Sequence, residues 1–283
     1  MRAFVLRLVR LAAYLGLTVP LMPVQALLLA FSPARAASFA RFYHRVCWRV
    51  LGFRVAVTGA PCGRCPTLFV ANHASYLDIT ILGGLIRGSF IAKSEVSGWP
   101  LFGQLAKLQR TVFIERRVRE TARHRDRIAQ RLAAGDDLIL FPEGTSGDGN
   151  RVLPFRSGLF GAADGGSVVV QPVSIAYVGL NGMPMGRYYR PFFAWYGAMS
   201  MAPHLWTLLG LGILTVSVEL HPAVTLAELG SRRALAEHCH TAIAAGVAAA
   251  LSGRARPPAP MPATTPATTE PPPAALPAAG FQG

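Results

Sequence analysis

TLFVANHASYLDITILGGLI, Thr67 to Ile86, changes character partway along. Thr67 to Asn72 is short and apolar almost throughout, which reads as a strand covered on both faces. A helix is expected to open at Ala74 or Ser75 and to run through LDITILGGLI. His73 then falls in the turn between strand and helix, and Asp78 lies about one helical turn beyond it. If the turn folds back over the helix start, imidazole and carboxylate meet. The carboxylate would fix the ring tautomer and stabilise its cation, leaving the other ring nitrogen to take a proton from an alcohol. Taken alone, the same spacing also fits a capping aspartate beside an incidental turn histidine.

Outward from this unit the pattern repeats. FRVAVTG (53–59), SFIAKS (89–94), TVFIER (111–116), DLILFP (137–142), VVVQPVSIAYVG (168–179) and LTVSVEL (214–220) read as strands. GWPLFGQLAKL (98–108) and the arginine-rich stretch from Glu115 to Gly135 read as helices, with Gly135 as the stop signal. Alternation of this kind predicts an α/β fold, a mostly buried mixed sheet flanked by helices. Pro172 inside an apparent strand predicts a bend or an edge. No internal repeat is present.

The chain has 283 residues, 52% of them hydrophobic and only 15% charged, with a formal net charge of +14. A basic excess among so few charges fits a protein resting on anionic lipid. Nucleic acid is not the expected partner, because no recognised module appears and the aromatics are not interleaved with the basic residues. Cys62 and Cys65 form a lone C-x-x-C, and no second pair exists to complete a zinc site. The simplest reading of these thiols is reduced and unligated, and no metal is expected.

Leu11 to Ala34 carries no charge, and arginines flank it on both sides. The length suffices to span a bilayer, but Pro20 and Pro23 are expected to interrupt it. The expectation is a bent, membrane-associated helical pair over residues 1–50 that dips into one leaflet and returns, or lies in the interface. The flanking arginines place it at the cytoplasmic face of the inner membrane. A single tilted span and a signal peptide cleaved near Ala34–Ala36 are the alternatives. A second uncharged stretch, Pro191 to Val218, reads as strand, loop, buried helix and strand, or as a lipid-facing surface. Residues 51–252 form the main domain. Residues 253–283, rich in proline, alanine and threonine, read as a disordered tail.

Four segments then stand in order: Asn72-His73 with Asp78, Phe113 to Arg116, Phe141 to Thr145, and Val170 to Val173. Together they resemble the four blocks of the glycerolipid acyltransferase family, of the 1-acylglycerol-3-phosphate (lysophosphatidic acid) acyltransferase type. The likeness covers roughly Phe53 to His221. It implies acyl transfer from acyl-CoA or acyl carrier protein to the hydroxyl of a lysolipid, with no further cofactor. By that resemblance His73 is the general base and Asp78 orients it. Phe113, Arg116, Glu143, Gly144 and Thr145 are implied to hold the acceptor, and Pro172 to lie on the donor side.

A thioester is already activated, so direct attack by the alcohol suffices, and no G-x-S-x-G nucleophile elbow is present. Lysophosphatidate is the acceptor the family type implies first. One departure bears on it: many relatives place arginine after the Glu-Gly-Thr, where this chain has Ser146. FPEGTSGDGNRVLPFRSGLF also resembles acyltransferases that act on lyso-ornithine lipid, which makes that lipid the alternative acceptor. A non-catalytic lipid-binding protein and a lipid hydrolase are the competing classes. The paired His73 and Asp78 argue against the first, and the missing nucleophile motif against the second.

Overall fold

Period-2 alternation in the strands sorts the core into two layers. In the computed structural model, which describes residues 1–63, 66–114, 121–165 and 168–254, Thr67–Ala71 forms a strand buried throughout. Phe69 and Ala71 point into one apolar cluster, Leu68 and Val70 into the other. Numbered along the chain, the strands are β1 (Phe53–Thr58), β2 (Thr67–Ala71), β3 (Gly88–Lys93), β4 (Val112–Ile114), β5 (Asp137–Leu140), β6 (Val169–Leu180), β7 (Met183–Pro184), β8 (Leu214–Leu220) and β9 (Val224–Thr225). The main order is β1-β8-β6-β2-β5-β3-β4, with β7 and β9 also paired to β6. β6, β2, β5, β3 and β4 run parallel, whereas β8 is antiparallel to β6, so the sheet is mixed.

Pro172 does not mark an edge. It sits in β6, between β2 and β8, opposite Val70. The physical reason it is tolerated lies in the ladder: β9 pairs Val169 and Val170, and β8 takes over only from Val173. Pro172 falls in the gap between these two partners, where no backbone N–H is called for.

The helices are α1 (Arg2–Phe31), α2 (Pro33–Leu51), α3 (Leu77–Leu85), α4 (Phe102–Leu108), α5 (Thr121–Ala133), α6 (Met201–Leu209), α7 (Leu226–Leu229) and α8 (Arg232–Leu251). One face of the sheet is covered by α3 and α6, the other by α5 and α8. Gly135 follows α5 with φ of +83°, a left-handed position that ends the helix. Arg190–Phe192 forms a short 3₁₀ turn and not the expected strand, since that stretch buries Phe193 and Ala194 but leaves Phe192 and Tyr196 exposed. The expected tail lies almost wholly in residues 255–283, outside those described.

The N-terminal pair differs from expectation in where it bends. α1 runs unbroken through Pro20 and Pro23 for 30 residues and is apolar enough to cross a membrane. The chain turns at Ser32, whose hydroxyl accepts the Arg35 N–H at the start of α2. Only α1 residues facing α2 and the body are buried, and Phe4, Val5, Leu8, Val9 and Leu27 are exposed. Arg10 ties α1 down by donating to the carbonyls of Leu209, Leu211 and Gly212.

α2 closes on α3 because Gly83 and Gly84 present no side chain. Trp48 and His44 lie where their Cβ atoms would stand, and a Cβ on Gly84 would come 2.3 Å from Trp48 Cζ2. Trp48 Nε1 donates to Thr80 O at 2.8 Å, and Arg45 Nε to Gly84 O at 2.7 Å. Gly84→Ala is therefore expected to push Trp48 off that bond. The cost is about 1–3 kcal/mol, against which the better helix propensity of alanine returns up to ~1 kcal/mol. Thermal unfolding of the variant checks this: a lower midpoint is expected, and an unchanged one would mean that Trp48 has room to move.

Candidate active site

In a parallel sheet the carboxyl ends of the strands share one edge, where loops gather functional groups. β2 ends there in Asn72 and His73, and β5 in Phe141 and the loop to Thr145. Asn72 locks the β2 end to β6: its side chain donates to Ile175 O at 2.9 Å and accepts the Ile175 N–H at 2.8 Å.

The turn folds back as the spacing suggested. Asp78 Oδ2 lies 2.9 Å from His73 Nδ1. The same oxygen accepts the N–H of Ala74 at 2.8 Å and of Ser75 at 2.9 Å. The other oxygen accepts the Tyr177 hydroxyl. Asp78 is 0% exposed, in the first turn of α3, where the helix N-terminus also favours a negative charge. The aspartate thus caps the turn and holds the ring together. With a carboxylate at Nδ1, that nitrogen carries the proton. Nε2 has no hydrogen-bond partner among the described residues, and the ring is 21% exposed. It stacks on Phe141, centroids 4.1 Å apart.

Glu143 is aimed inward. One oxygen accepts the His73 N–H at 2.8 Å and the other the Leu153 N–H at 3.0 Å. It therefore joins the two loops behind the histidine. Burial pushes this carboxyl up, from 4.5 to about 7, against the lowering pull of its two backbone donors. A raised folded value means that its contribution to stability is full below pH 4.5 and is lost as pH rises to about 7. Wild-type protein is expected to lose stability across that window, and Glu143→Gln to show a flatter profile in thermal unfolding between pH 4.5 and 8. Parallel profiles for the two proteins would show that the carboxyl does not titrate there.

Gly144, at φ +68°, makes the sharp bend of this loop, and Arg156 packs where its Cβ would be. Thr145 is exposed, and the Gly147 N–H donates to His73 O at 2.9 Å. Ser146 donates to Trp195 O, and the Trp195 N–H donates to Ala74 O at 2.8 Å. Phe113, half-buried, lies on β4 opposite Ala92. Pro172 is buried within the sheet, away from the turn. Arg116 and Cys65 lie outside the described residues, and Cys62 is a free thiol. Tyr177 was not singled out from sequence. The available signal was a tyrosine in a strand buried on both faces, whose hydroxyl needs a partner.

Beside the turn is a cavity of about 150 Å³ between the N-terminal helices and the body of the protein. Leu21, Met22, Phe39, Ile79, Phe90 and Val96 are among its walls. Phe90 stacks on Phe141, at 6.2 Å between centroids, so one ring, Phe141, separates the cavity wall at Phe90 from the His73 imidazole.

Comparison with known proteins places this site in context. Residues 54–176 match the family model described as Acyltransferase. Among curated proteins, the chain is 43% identical to a lyso-ornithine lipid O-acyltransferase of Brucella abortus, over 88% of this chain and 96% of that one. It is 32% identical to a 1-acyl-sn-glycerol-3-phosphate acyltransferase of Neisseria gonorrhoeae, over 67% and 73% respectively. The crystal structure of the 1-acyl-sn-glycerophosphate acyltransferase of Thermotoga maritima shares the fold, with a TM-score of 0.67 over 90% of this chain and 99% of that one, at 23% identity. A near full-length relative at this identity, and a family model spanning the His73 turn, the Phe141 loop and most of β6, make the chain a member of the acyltransferase family.

Proposed function

We propose that the protein is a membrane-associated O-acyltransferase that esterifies the hydroxyl of lyso-ornithine lipid, using acyl-CoA or acyl carrier protein as donor, at the cytoplasmic face of the inner membrane. The observation that carries the chemistry is a half-open imidazole with Nδ1 on a buried carboxylate and Nε2 unengaged. Nε2 takes the proton of the acceptor hydroxyl as its oxygen attacks the thioester carbonyl carbon. The tetrahedral intermediate collapses with cleavage of the carbon–sulfur bond. The departing thiolate takes the proton back from the imidazolium, which Asp78 has stabilised. The apolar cavity walled by Phe90, which stacks on Phe141, supplies a place for an acyl chain.

Two features favour lyso-ornithine lipid over lysophosphatidate, the acceptor the family type implied first. The Brucella relative is more similar over more of the chain than the Neisseria one. Ser146 stands where many lysophosphatidate-type relatives carry arginine, and its hydroxyl is committed to Trp195 O. A phosphate monoester finds no cation at that position. The test is to supply purified protein with labelled acyl donor and equal amounts of lyso-ornithine lipid, lysophosphatidate and glycerol 3-phosphate, and to identify the products. Ornithine lipid is expected to dominate, and preferential formation of phosphatidate would overturn the assignment. Free fatty acid in place of either product would point to hydrolysis.

A further inference from the structure

The segment that follows β7 has two faces of opposite character. Met185, Phe193 and Ala194 are buried in the core, and Arg190 is buried with its guanidinium on Asn150 Oδ1 and Met185 O. The outward residues are not covered: Tyr188 is 79% exposed, Tyr189 58% and Phe192 50%. They form a cluster of their own. Tyr188 meets Tyr189 edge-on at 5.6 Å between centroids, and Tyr189 lies 6.3 Å from Phe192. The inner anchors make this a built surface that holds large aromatic groups in water, where each forgoes burial.

Charge and continuity indicate what covers it. No aspartate or glutamate occurs between Asp164 and Glu219, and the only Arg or Lys residues in that interval are Arg187 and Arg190. With Arg190 buried, Arg187 is the exposed charge of this segment, and from the neighbouring loop the Asp148 carboxylate offsets part of it. The segment leads into α6, where Trp206 meets Phe4 of α1 edge-on at 6.0 Å and lies 5.6 Å from the Arg7 guanidinium. The exposed apolar side of α1 begins at that same contact, with Phe4, Val5 and Leu8. Aromatic rings with polar tips beside arginine suit the boundary between headgroups and acyl chains.

We propose that Tyr188, Tyr189 and Phe192, with Arg187, form a second bilayer-contact site that seats on a membrane containing anionic lipid, alongside α1. This segment also holds the His73 turn through the Trp195 N–H on Ala74 O, and the loop after β5 through Arg190 on Asn150. Seating it therefore brings the His73 turn to the lipid surface. The inference takes from the proposed function only that the protein works at a membrane, and it is indifferent to the acceptor.

The experiment uses the full chain, diluted from detergent onto limiting amounts of vesicles of phosphatidylcholine, with or without phosphatidylglycerol. The partition coefficient is read by flotation. Y188S/Y189S/F192S is expected to partition about tenfold less well into both kinds of vesicle. Y188W/Y189W/F192W is expected to match or exceed the wild type. Arg187→Gln is expected to lose about fivefold on phosphatidylglycerol-containing vesicles and little on neutral ones. Wild-type partitioning by the triple serine variant overturns the proposal. So does an unchanged partition coefficient accompanied by lost binding to an acidic acyl carrier protein, which would make the cluster a protein-docking surface.

Discussion

Replacing His73 with alanine is expected to cut acyl transfer by about 1,000-fold while the protein stays folded. The rate loss follows from geometry. Nε2 has no other partner among the described residues, so the imidazole is available as a base, and the carboxylate beside it, Asp78, is fully buried and already holds Ala74, Ser75 and Tyr177. Glu143 cannot substitute, because both its oxygens are engaged by backbone N–H groups behind the turn. The fold survives because the contacts that shape the turn are made by backbone atoms. The His73 N–H still reaches Glu143, its carbonyl still receives Gly147, and Asp78 still receives Ala74 and Ser75. What is lost structurally is stacking on Phe141, about 1 kcal/mol for an aromatic pair, and the Nδ1–H donor to Asp78, about 1.5–3 kcal/mol for a bond to a charged group. The measurement is turnover with labelled donor beside thermal unfolding. A folded alanine variant with wild-type turnover would remove His73 from the mechanism.

The strand–turn–helix unit was legible in sequence because its signals are local. An apolar run, a polar turn and a second apolar run fix β2 within one residue and the start of α3 within two or three, and the spacing of His73 and Asp78 lies inside that unit. The other six strands read from the sequence are legible for the same reason. Features that depend on distant partners were not. Pro172 reads as an edge residue until the staggered arrival of β9 and β8 on β6 is known. Pro20 and Pro23 read as breaks, yet α1 continues through them while the chain reverses at Ser32-Pro33. Glu143 reads as a ligand-binding carboxylate beside glycine. Its inward aim depends on Leu153 and His73, which the chain brings from either side. Tyr177 meets Asp78 across 99 positions of sequence, and no spacing rule reaches that far.

Asp78→Asn separates what the aspartate does by charge from what it does by shape. Two backbone donors, from Ala74 and Ser75, converge on Oδ2. In the variant only the amide oxygen can occupy that position, since an NH₂ there would face two N–H groups. The oxygen therefore also remains opposite His73 Nδ1, and the productive tautomer is kept. The amide nitrogen falls opposite the Tyr177 hydroxyl, whose oxygen accepts as readily as it donates. Turn, tautomer and fold are preserved, and the buried negative charge is gone. Turnover is expected to fall about 100-fold, the worth of a charge-assisted bond to the imidazolium. That is well short of the roughly 10,000-fold loss that follows when an amide inverts the tautomer in a comparable triad. Asp78→Ala differs in kind, because it strands buried donors and removes the cap; a loss of about 3–5 kcal/mol in stability is expected. Tyr177→Phe leaves the charge in place with one donor fewer. Roughly tenfold lower kcat with little change in KM is expected there, because the tyrosine acts on the ring through the aspartate. Should the asparagine variant turn over as fast as the wild type, the carboxylate would be a turn cap alone, and the imidazolium would need no partner to form.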